Sequence, residues 1–356
     1  MRNYLSGRSA LLLLATIASS AMLAGCSNNT NTTVSQSVYE LAWLPDGSGM
    51  LAYIDKVSLS ALDGSEIDGQ NLYHVGSDGS VGNSINPADA APNVYGYPPL
   101  ISISADGSSA ITSFANSNGV PNVDRADFAG NTVTQLIPGT NLLGVSPDQK
   151  YVATTVSAAN NTSKLLVVYD LTGSPPRLPE QTIPGAVSNR VLWTDNSHFA
   201  VTIYDSLGSD QIPWYHVTIF NVDGSVSRVI PNASVPLHAS AYAPKSGELF
   251  VQTHTLGIDK INVTTGIRSN VITNDTVYSM DVSSDGTLLV YSSEAASTNG
   301  SFPGYAVNVA NGHRTSLASS MLVPILSPDE KHVAFIHQLS GGESSDIQVV
   351  GVSMPQ

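Results

Sequence analysis

Positive charge and cysteine are both scarce in this 356-residue chain. Lys and Arg total 14 against 28 Asp and Glu, which gives a formal net charge of −14. A surface with this excess of carboxylates repels phosphate backbones, so the composition argues against a nucleic-acid partner. The chain has a single cysteine, which excludes an intrachain disulfide framework. At this length a hydrophobic core can stabilise the fold without such cross-links.

Motifs for catalysis or metal binding are also missing from the sequence. The eight histidines show no H-E-x-x-H or other metal-ligand spacing. The chain has no G-x-S-x-G nucleophile turn. The sequence therefore predicts no catalytic residue, no metal site and no cofactor. Charged residues make up only 12% of the chain and hydrophobic ones 42%, a balance that argues against disorder and suits an exported all-β protein.

The N-terminal segment has the composition of an export signal. Arg2 and Arg8 precede the apolar run Ala10–Gly25, which is too short and too rich in small residues at its end for a stable membrane span. The sequence Leu23–Cys26 resembles a bacterial lipobox. This resemblance implies that residues 1–25 are removed and that Cys26 is acylated, with 26–31 as a lipidated tether. The alternative is an ordinary signal peptide with an accidental cysteine.

The lipobox resemblance also implies a cellular location. Acyl chains on Cys26 anchor a protein to a membrane surface while the folded part stays outside the bilayer. Ser27 follows the cysteine, and in lipoproteins of Gram-negative bacteria a residue other than Asp at this place favours the outer membrane. We therefore expect a lipid-anchored protein of the bacterial cell envelope.

A short hairpin pattern recurs along the rest of the chain. Each copy has an apolar run, a tight turn and a second run rich in β-formers. The seven copies are Glu40–Ile54, Leu100–Phe114, Leu142–Val156, Asn189–Ile203, His238–Gln252, Tyr278–Ser292 and Leu322–Ile336. Asp holds one turn position in six copies and Lys in the fifth: Asp46, Asp106, Asp148, Asp195, Lys245, Asp285 and Asp329. Pro before this position and Gly after it, where present, are typical of type I turns.

A second hairpin follows each copy, as in His216–Ile230. Seven units of four antiparallel strands predict an all-β fold, a seven-bladed β-propeller over residues 32–356. The seventh unit has three strands, ending with Asp346–Ser353, whereas Thr32–Tyr39 lies unassigned before the first unit. We expect Thr32–Tyr39 to pair beside Asp346–Ser353 as the missing fourth strand, which would close the ring and remove two exposed edges.

The Ser-Pro-Asp-centred units resemble the WD40-like repeats of TolB-type propellers. The resemblance covers residues 32–353 and implies architecture far more specifically than function. The chain departs from TolB itself, which carries an additional α/β domain before its propeller and no lipid anchor. The fourth and fifth units also depart from the repeat pattern.

The strand order predicts two unlike faces. The short Asp turns share one face, and the longer connections share the opposite face, which we call the long-loop face. Four insertions are predicted there: Asp55–Gln70, Asn86–Pro99, Asp205–Trp214 and Glu294–Gly304. Long loops on a rigid scaffold are common binding sites. The candidate ligand- or partner-binding residues are Tyr95, Tyr97, Asp205, Asp210, Trp214, Tyr215 and Phe302. Each of these aromatic rings has a simpler alternative role, which is packing over its own loop.

The predicted strand directions also orient the protein on its membrane. A fourth strand runs from the turn face to the long-loop face, so a closing strand at Thr32–Tyr39 would start on the turn face. The tether would then hold the turn face near the membrane and direct the long-loop face away from it.

Two functions remain open from the sequence. The first is a non-catalytic propeller that binds or assembles an envelope protein or a glycan. The alternative is a propeller enzyme, lactonase- or lyase-like, with residues from several blades meeting at the mouth of the central tunnel. Carboxylates and histidines at that mouth favour the enzyme, and an apolar or aromatic patch on the long-loop face favours the binding protein.

Overall fold

The computed structural model is an all-β chain. It describes residues 32–59, 66–85, 100–115, 120–157, 164–173, 181–183, 191–207, 213–230, 240–253, 256–294, 302–339 and 344–356. Cys26 and the segments predicted as signal peptide and tether lie outside these ranges. Within them, no helix has the length and apolar character needed to span a bilayer.

The described strands form seven antiparallel sheets, six of four strands and one of three. Blade 1 has β1 (Thr32–Trp43), β2 (Gly49–Leu59), β3 (Glu66–Gly76) and β4 (Val81–Ile85). Blade 2 has β5 (Ser102–Ile103), β6 (Ser109–Ala115), β7 (Pro121–Asp127) and β8 (Thr132–Ile137). Blade 3 has β9 (Asn141–Val145), β10 (Tyr151–Ser157), β11 (Lys164–Asp170) and β12 (Gln181–Ile183). Blade 4 has β13 (Leu192–Trp193), β14 (His198–Leu207), β15 (Pro213–Asn221) and β16 (Val226–Ile230).

The remaining three sheets follow the same order. Blade 5 has β17 (Ser240–Ala243), β18 (Glu248–Gln252), β19 (Gly257–Asn262) and β20 (Arg268–Thr273). Blade 6 has β21 (Val277–Val282), β22 (Leu288–Ser293), β23 (Gly304–Asn308) and β24 (Arg314–Ala318). Blade 7 has β25 (Leu322–Leu326), β26 (His332–Gln338) and β27 (Ser345–Gly351). The prediction of a seven-bladed propeller is confirmed.

The repeated Asp acts as a local hydrogen-bond acceptor in the first turn of each blade. In six blades its Oδ1 accepts the backbone N–H two residues later, at 2.6–3.3 Å. Ser104 Oγ also donates to Asp106, and this bond together with those from Ser108 lowers the pKa of Asp106 to about 2. The Asp therefore fixes the turn, and its repetition reflects folding rather than chemistry.

Two of these turns lack glycine at their left-handed position. Gly47, Gly107 and Gly286 have φ of 72°, 69° and 77° there, while Gln149 and Glu330 have φ of 55° and 58°. Both longer side chains reach the preceding blade. Gln149 Nε2 donates to Ser102 O at 2.8 Å, and Glu330 Oε1 accepts Ser284 N–H at 2.8 Å. A hydrogen bond between blades thus offsets the backbone strain at these two positions.

Buried side chains form one apolar cluster at each of the seven seams between neighbouring blades. The middle strands alternate between two seams. In β2, Met50 and Ala52 face blade 7, whereas Leu51 and Tyr53 face blade 2. A strand that is buried on both faces has an almost continuous apolar sequence. The second strand of each repeat shows this pattern.

The predicted closure by strand pairing is wrong. Thr32–Tyr39 is the first part of β1, and its register with β2 begins at Thr32↔Leu59. Among the described strands, β27 pairs only with β26, so the seventh sheet keeps three strands. The ring closes instead by packing, because Val38 and Leu41 of blade 1 share an apolar cluster with Ile347 of blade 7.

The corrected position of β1 also reverses the predicted orientation of the N-terminus. As a first strand, β1 leads into the Asp46 turn, so Thr32 lies at the long-loop end of blade 1. In two predicted insertions, the described residues are strand as well. In the range Asp55–Gln70, β2 continues to Leu59 and β3 starts at Glu66; in the range Asp205–Trp214, β14 continues to Leu207 and β15 starts at Pro213. These pairs of strands lengthen blades 1 and 4 towards the long-loop face.

Candidate functional site: the central channel

The predicted binding residues are spread over separate parts of the molecule. Tyr95, Tyr97 and Asp210 lie outside the described residues. In blade 4, Asp205 is in β14, and Trp214 and Tyr215 are in β15, where they pair with Ser206 and Tyr204. Phe302 is in blade 6, so blade 5 separates it from this group.

Phe302 does pack against another aromatic residue on the long-loop face. Its ring centroid lies 4.7 Å from that of Tyr278, with the planes tilted by 47°. Tyr278 is the second residue of β21 and is exposed. The sequence pattern did not single out Tyr278 as a partner for Phe302, since Tyr278 lies in the first strand of the blade and Phe302 lies two residues before the third.

A cavity of about 430 Å³ lies at the centre of the ring, lined mainly by the first strands of the blades. This volume lies within the range of small-ligand pockets. The lining residues are Glu40, Pro147, Leu192, Trp193, Thr194, Ser240, Ala241, Tyr242, Pro244, Ser279, Met280, Asp281, Val323, Pro324 and Ile325. Pro147 and Pro244 belong to the first turns of blades 3 and 5, so the cavity extends towards the turn face.

Several polar groups of this lining hold neighbouring first strands together. Asp281 Oδ2 accepts Leu326 N–H at 2.8 Å, and Ser279 Oγ accepts Val323 N–H at 3.1 Å. Both bonds join blade 6 to blade 7. These side chains therefore fix the width of the channel in this sector. Glu40 is 6% exposed and supplies a second carboxylate to the lining.

Tyr242 is the lining residue best suited to contact a ligand. It is half-buried on β17, and burial together with the nearby Asp195 raises the pKa of its phenol. The hydroxyl therefore stays protonated at neutral pH and can donate a hydrogen bond. Ser240 lies on the same side of β17, two residues earlier, because side chains alternate along a strand. Trp193 also borders the cavity, but it is buried in the seam between blades 3 and 4, where its ring centroid lies 5.1 Å from that of Phe199.

The charge of the channel restricts its chemistry. None of the described lining residues is Lys, Arg or His. In the described part of the chain no three His, Cys, Asp or Glu side chains lie close enough to hold a metal ion. His198 contacts Asp195 and His337 contacts Asp346, each with its Nδ1 at 2.9 Å, and none of these four residues belongs to the lining. The channel thus offers aromatic surface, hydroxyls and carboxylates.

The channel residues leave a weak signal in the sequence. Glu40, Ser279 and Asp281 are polar residues that stand next to apolar residues in the first strands β1 and β21. A polar residue on a strand covered by neighbouring blades has to point into the channel or bond to the next blade. This signal identifies positions but does not show which of them meet in space.

Comparison with known proteins identifies the fold and no family. No family model matches the chain, and no curated protein matches it. The resemblance to TolB-type repeats therefore stays a prediction. Among solved structures, an oligogalacturonate lyase in complex with manganese aligns with a TM-score of 0.62 and 14% identity over 90% of each chain.

Two further structures show the same architecture. An oligogalacturonate lyase from Vibrio parahaemolyticus has a TM-score of 0.61 and 14% identity, with 91% of each chain covered. The β-propeller domain of the Trilobed protease from Pyrococcus furiosus has a TM-score of 0.57 and 10% identity, with 90% of this chain and 98% of that chain covered. That domain is described as having an open velcro topology. Among the described strands of this chain, the seventh sheet has three.

Proposed function

We propose that this protein is a lipid-anchored propeller of the bacterial cell envelope that binds a short neutral glycan segment in its central channel. The observation that carries the proposal is the channel lining, where Tyr242 and Trp193 lie beside hydroxyls and carboxylates without a basic residue. Aromatic faces stack on sugar rings, and carboxylates and hydroxyls bond to sugar hydroxyls. An anionic ligand would find no positive partner among these residues.

The test is a titration of the purified protein with neutral and uronic-acid oligosaccharides of equal length. We expect the neutral series to bind more tightly, and Tyr242→Ala to weaken it by about 1–3 kcal/mol, or roughly tenfold to hundredfold in Kd. Tyr242→Phe is the matched control, since it keeps the ring and removes only the hydroxyl. Equal affinity in wild type and Tyr242→Ala would exclude the channel as the site.

A second candidate is a polysaccharide lyase, the enzyme alternative from the sequence. The similarity to two oligogalacturonate lyases over about nine-tenths of the chain favours it. Elimination of a uronate needs a base for the proton next to the carboxylate and a positive group that stabilises the developing charge. Glu40 and Asp281 are the carboxylates among the described lining residues, and we take Glu40 as the candidate base.

The lyase candidate is tested by incubating the protein with oligogalacturonate, with and without manganese, and measuring the absorbance of the unsaturated product. Product formation that Glu40→Gln abolishes would favour the lyase over the binding protein. Absence of product in the same preparation that binds neutral oligosaccharides would favour the binding protein.

The proposed membrane anchor has its own experiment. Cys26→Ser should release the protein from the membrane fraction, because the lipid chains would be lost. Retention of Cys26→Ser in that fraction would show that another feature holds the protein there.

A further inference from the structure

The outer strand of blade 4 exposes apolar side chains at the edge of its sheet. Val226 is 56% exposed and Val229 is 50% exposed, and both lie in β16. The outer strands β4, β8, β20 and β24 expose glycine and polar residues instead: Gly82, Asn83, Thr132, Thr134, Gln135, Arg268, Ser269, Asn270, Thr273, Arg314, Thr315 and Ser316. Polar side chains on an edge strand oppose pairing with another chain. β16 has less of this protection than the other four strands.

A β-bulge places the two exposed valines on one face of β16. Val226 lies opposite Phe220 of β15 and Val229 lies opposite Thr218, with a register shift between the two pairs. Side chains two residues apart on a strand share a face, and Phe220 belongs to the apolar cluster between blades 3 and 4. The valines therefore form a continuous apolar strip on the side of β16 that faces blade 3.

The charged residue of β16 is turned away from this strip. Arg228 lies opposite Ile219, and its Nη1 donates to Val263 O of blade 5 at 3.1 Å. It also bonds Thr264 O of the same turn. Backbone acceptors thus hold the guanidinium on the blade 5 side of the strand.

The free edge of β16 presents its backbone groups at an unusual spacing. Asn221 N–H donates to Ser225 O, and bonded and non-bonded pairs alternate along an antiparallel ladder. Phe220 and Val226 therefore form a non-bonded pair, and beyond the bulge Val229 occupies a position of the same kind. Both valines direct N–H and C=O away from β15, and no other described strand pairs with this edge. A regular strand repeats such groups every two residues, whereas β16 has them three residues apart.

We propose that β16 is an interface with a second copy of this chain, paired antiparallel across a two-fold axis. In this register Val226 lies opposite Val229 of the second copy, and Ser227 lies opposite its Arg228. The axis sets one bulge against the other, so the three-residue spacing matches on both strands, which a regular strand of another protein would not achieve. Cross-strand pairs of β-branched side chains stabilise a sheet. The interface depends on neither the channel nor the membrane anchor.

The size and charge of this interface predict a weak dimer. A pairing of five-residue strands buries less area than a typical stable interface. The net charge of −14 on each chain opposes association, and salt screens this repulsion. Sedimentation of the full chain carrying Cys26→Ser should therefore show an average mass that rises with protein concentration, and rises further at high salt.

Disulfide trapping tests the register directly. Val226→Cys and Val229→Cys are each combined with Cys26→Ser, so every chain has one cysteine, and they are oxidised alone and as an equal mixture. Opposed residues of a bonded antiparallel pair have Cα atoms about 5.5 Å apart, which suits a disulfide. Two copies of residue 226 lie three residues apart in this register, or about 10 Å. We expect the mixture to give about fivefold more covalent dimer than either variant alone.

The outer strand of blade 2 supplies the matched control. Thr132 and Gln135 are exposed on β8 with the same three-residue spacing. Thr132→Cys and Gln135→Cys, each with Cys26→Ser, should give no more covalent dimer as a mixture than alone.

Proline at position 229 tests the direction of the backbone N–H. Because this N–H faces the free edge, Val229→Pro should leave the urea unfolding of the protein close to wild type and abolish the rise in mass with concentration. Val229→Thr keeps the N–H and the branched side chain, and should dimerise within about threefold of the wild-type Kd.

Three results would overturn the proposal. A monomer at every concentration, with no excess of disulfide in the mixture of 226 and 229, would refute the interface. Equal cross-linking in the two mixtures would show that any contact between copies lies elsewhere. Val229→Pro that dimerises like wild type, or that fails to fold, would show that this N–H does not face the free edge, which would refute the pairing.

Discussion

Blade 7 packs against blade 6 on one side and against blade 1 on the other, and different contacts hold these two seams together. At the first, Ser279 and Asp281 accept backbone N–H groups of blade 7, and Ser284 and Asn308 donate to the chain of blade 7. An apolar cluster around Leu288 and Phe335 lies beneath them. Polar side chains thus set the register of blade 7 against blade 6, and apolar contacts add the stability.

The seam between blades 7 and 1 joins the two ends of the chain and depends more on packing. Its cluster brings together Leu41, Met50 and Ile336, all nearly or fully buried. Val38 N–H donates to Ser345 Oγ at 2.7 Å, and Trp43 Nε1 donates to Ile325 O at 3.2 Å. A propeller can therefore close without a shared strand when the end blades bury a cluster as continuous as those of the other seams.

We expect the largest change in stability when one buried leucine is truncated at each seam. Leu41→Ala should lower the free energy of unfolding by about 2–5 kcal/mol, because it leaves a cavity in the closing cluster. Leu288→Ala, at a similarly buried position of the other seam, should cost a similar amount. Urea titrations of both variants measure the difference. A cost below about 1 kcal/mol for Leu41→Ala alone would show that the ring does not depend on packing at this seam.

Ser345→Ala tests the buried hydrogen bond of the closing seam. The substitution leaves Val38 N–H without its acceptor, so we expect a loss of about 1–3 kcal/mol in the free energy of unfolding. Ser344→Ala, one residue earlier, is the control and should change it by about 0.5 kcal/mol or less. Equal effects of the two substitutions would mean that this bond does not contribute to closure.

Substitutions of Glu330 test the hydrogen bonds that join blades 6 and 7. Glu330→Ala removes the bonds to Ser284 and keeps a non-glycine residue at φ 58°, so we expect a loss of about 1 kcal/mol. Glu330→Gly removes the same bonds but relieves the left-handed strain, and should be about 1 kcal/mol more stable than Glu330→Ala. The same urea titration measures both, and equal stabilities would contradict the strain interpretation.

The architecture was predictable because its signals are local. Six of the seven repeats carry an Asp whose carboxylate bonds the N–H two residues later, and that contact involves no other part of the chain. Blade number follows directly from counting Asp46 and its six equivalents. Lys245 departs from this pattern, since its backbone N–H bonds Ser284 O of the next blade at 2.8 Å.

The closure and the channel were not predictable in the same way because they are non-local. Thr32–Tyr39 was correctly predicted as a strand, but its sequence does not indicate whether it pairs with β2 or with β27. One signal was available: no Gly, Pro, Asn or Asp interrupts Thr32–Trp43, which favours a single continuous strand. For the channel, Glu40 and Asp281 lie 241 positions apart in the sequence, and only the ring brings them to one cavity.

The smallest expected effect comes from shortening β1 at its free end. A chain without the anchor that begins at Gln36 is compared with one that begins at Ser27. The described hydrogen bonds from β1 to blade 7 all start at Gln36 or later, so the shorter chain should lose about 1 kcal/mol or less in the free energy of unfolding. Closure by pairing of residues 32–39 with β27 would instead make this truncation as costly as Leu41→Ala. If the truncation lowers the free energy of unfolding by several kcal/mol, this result would favour pairing of residues 32–39 with β27 over closure by packing.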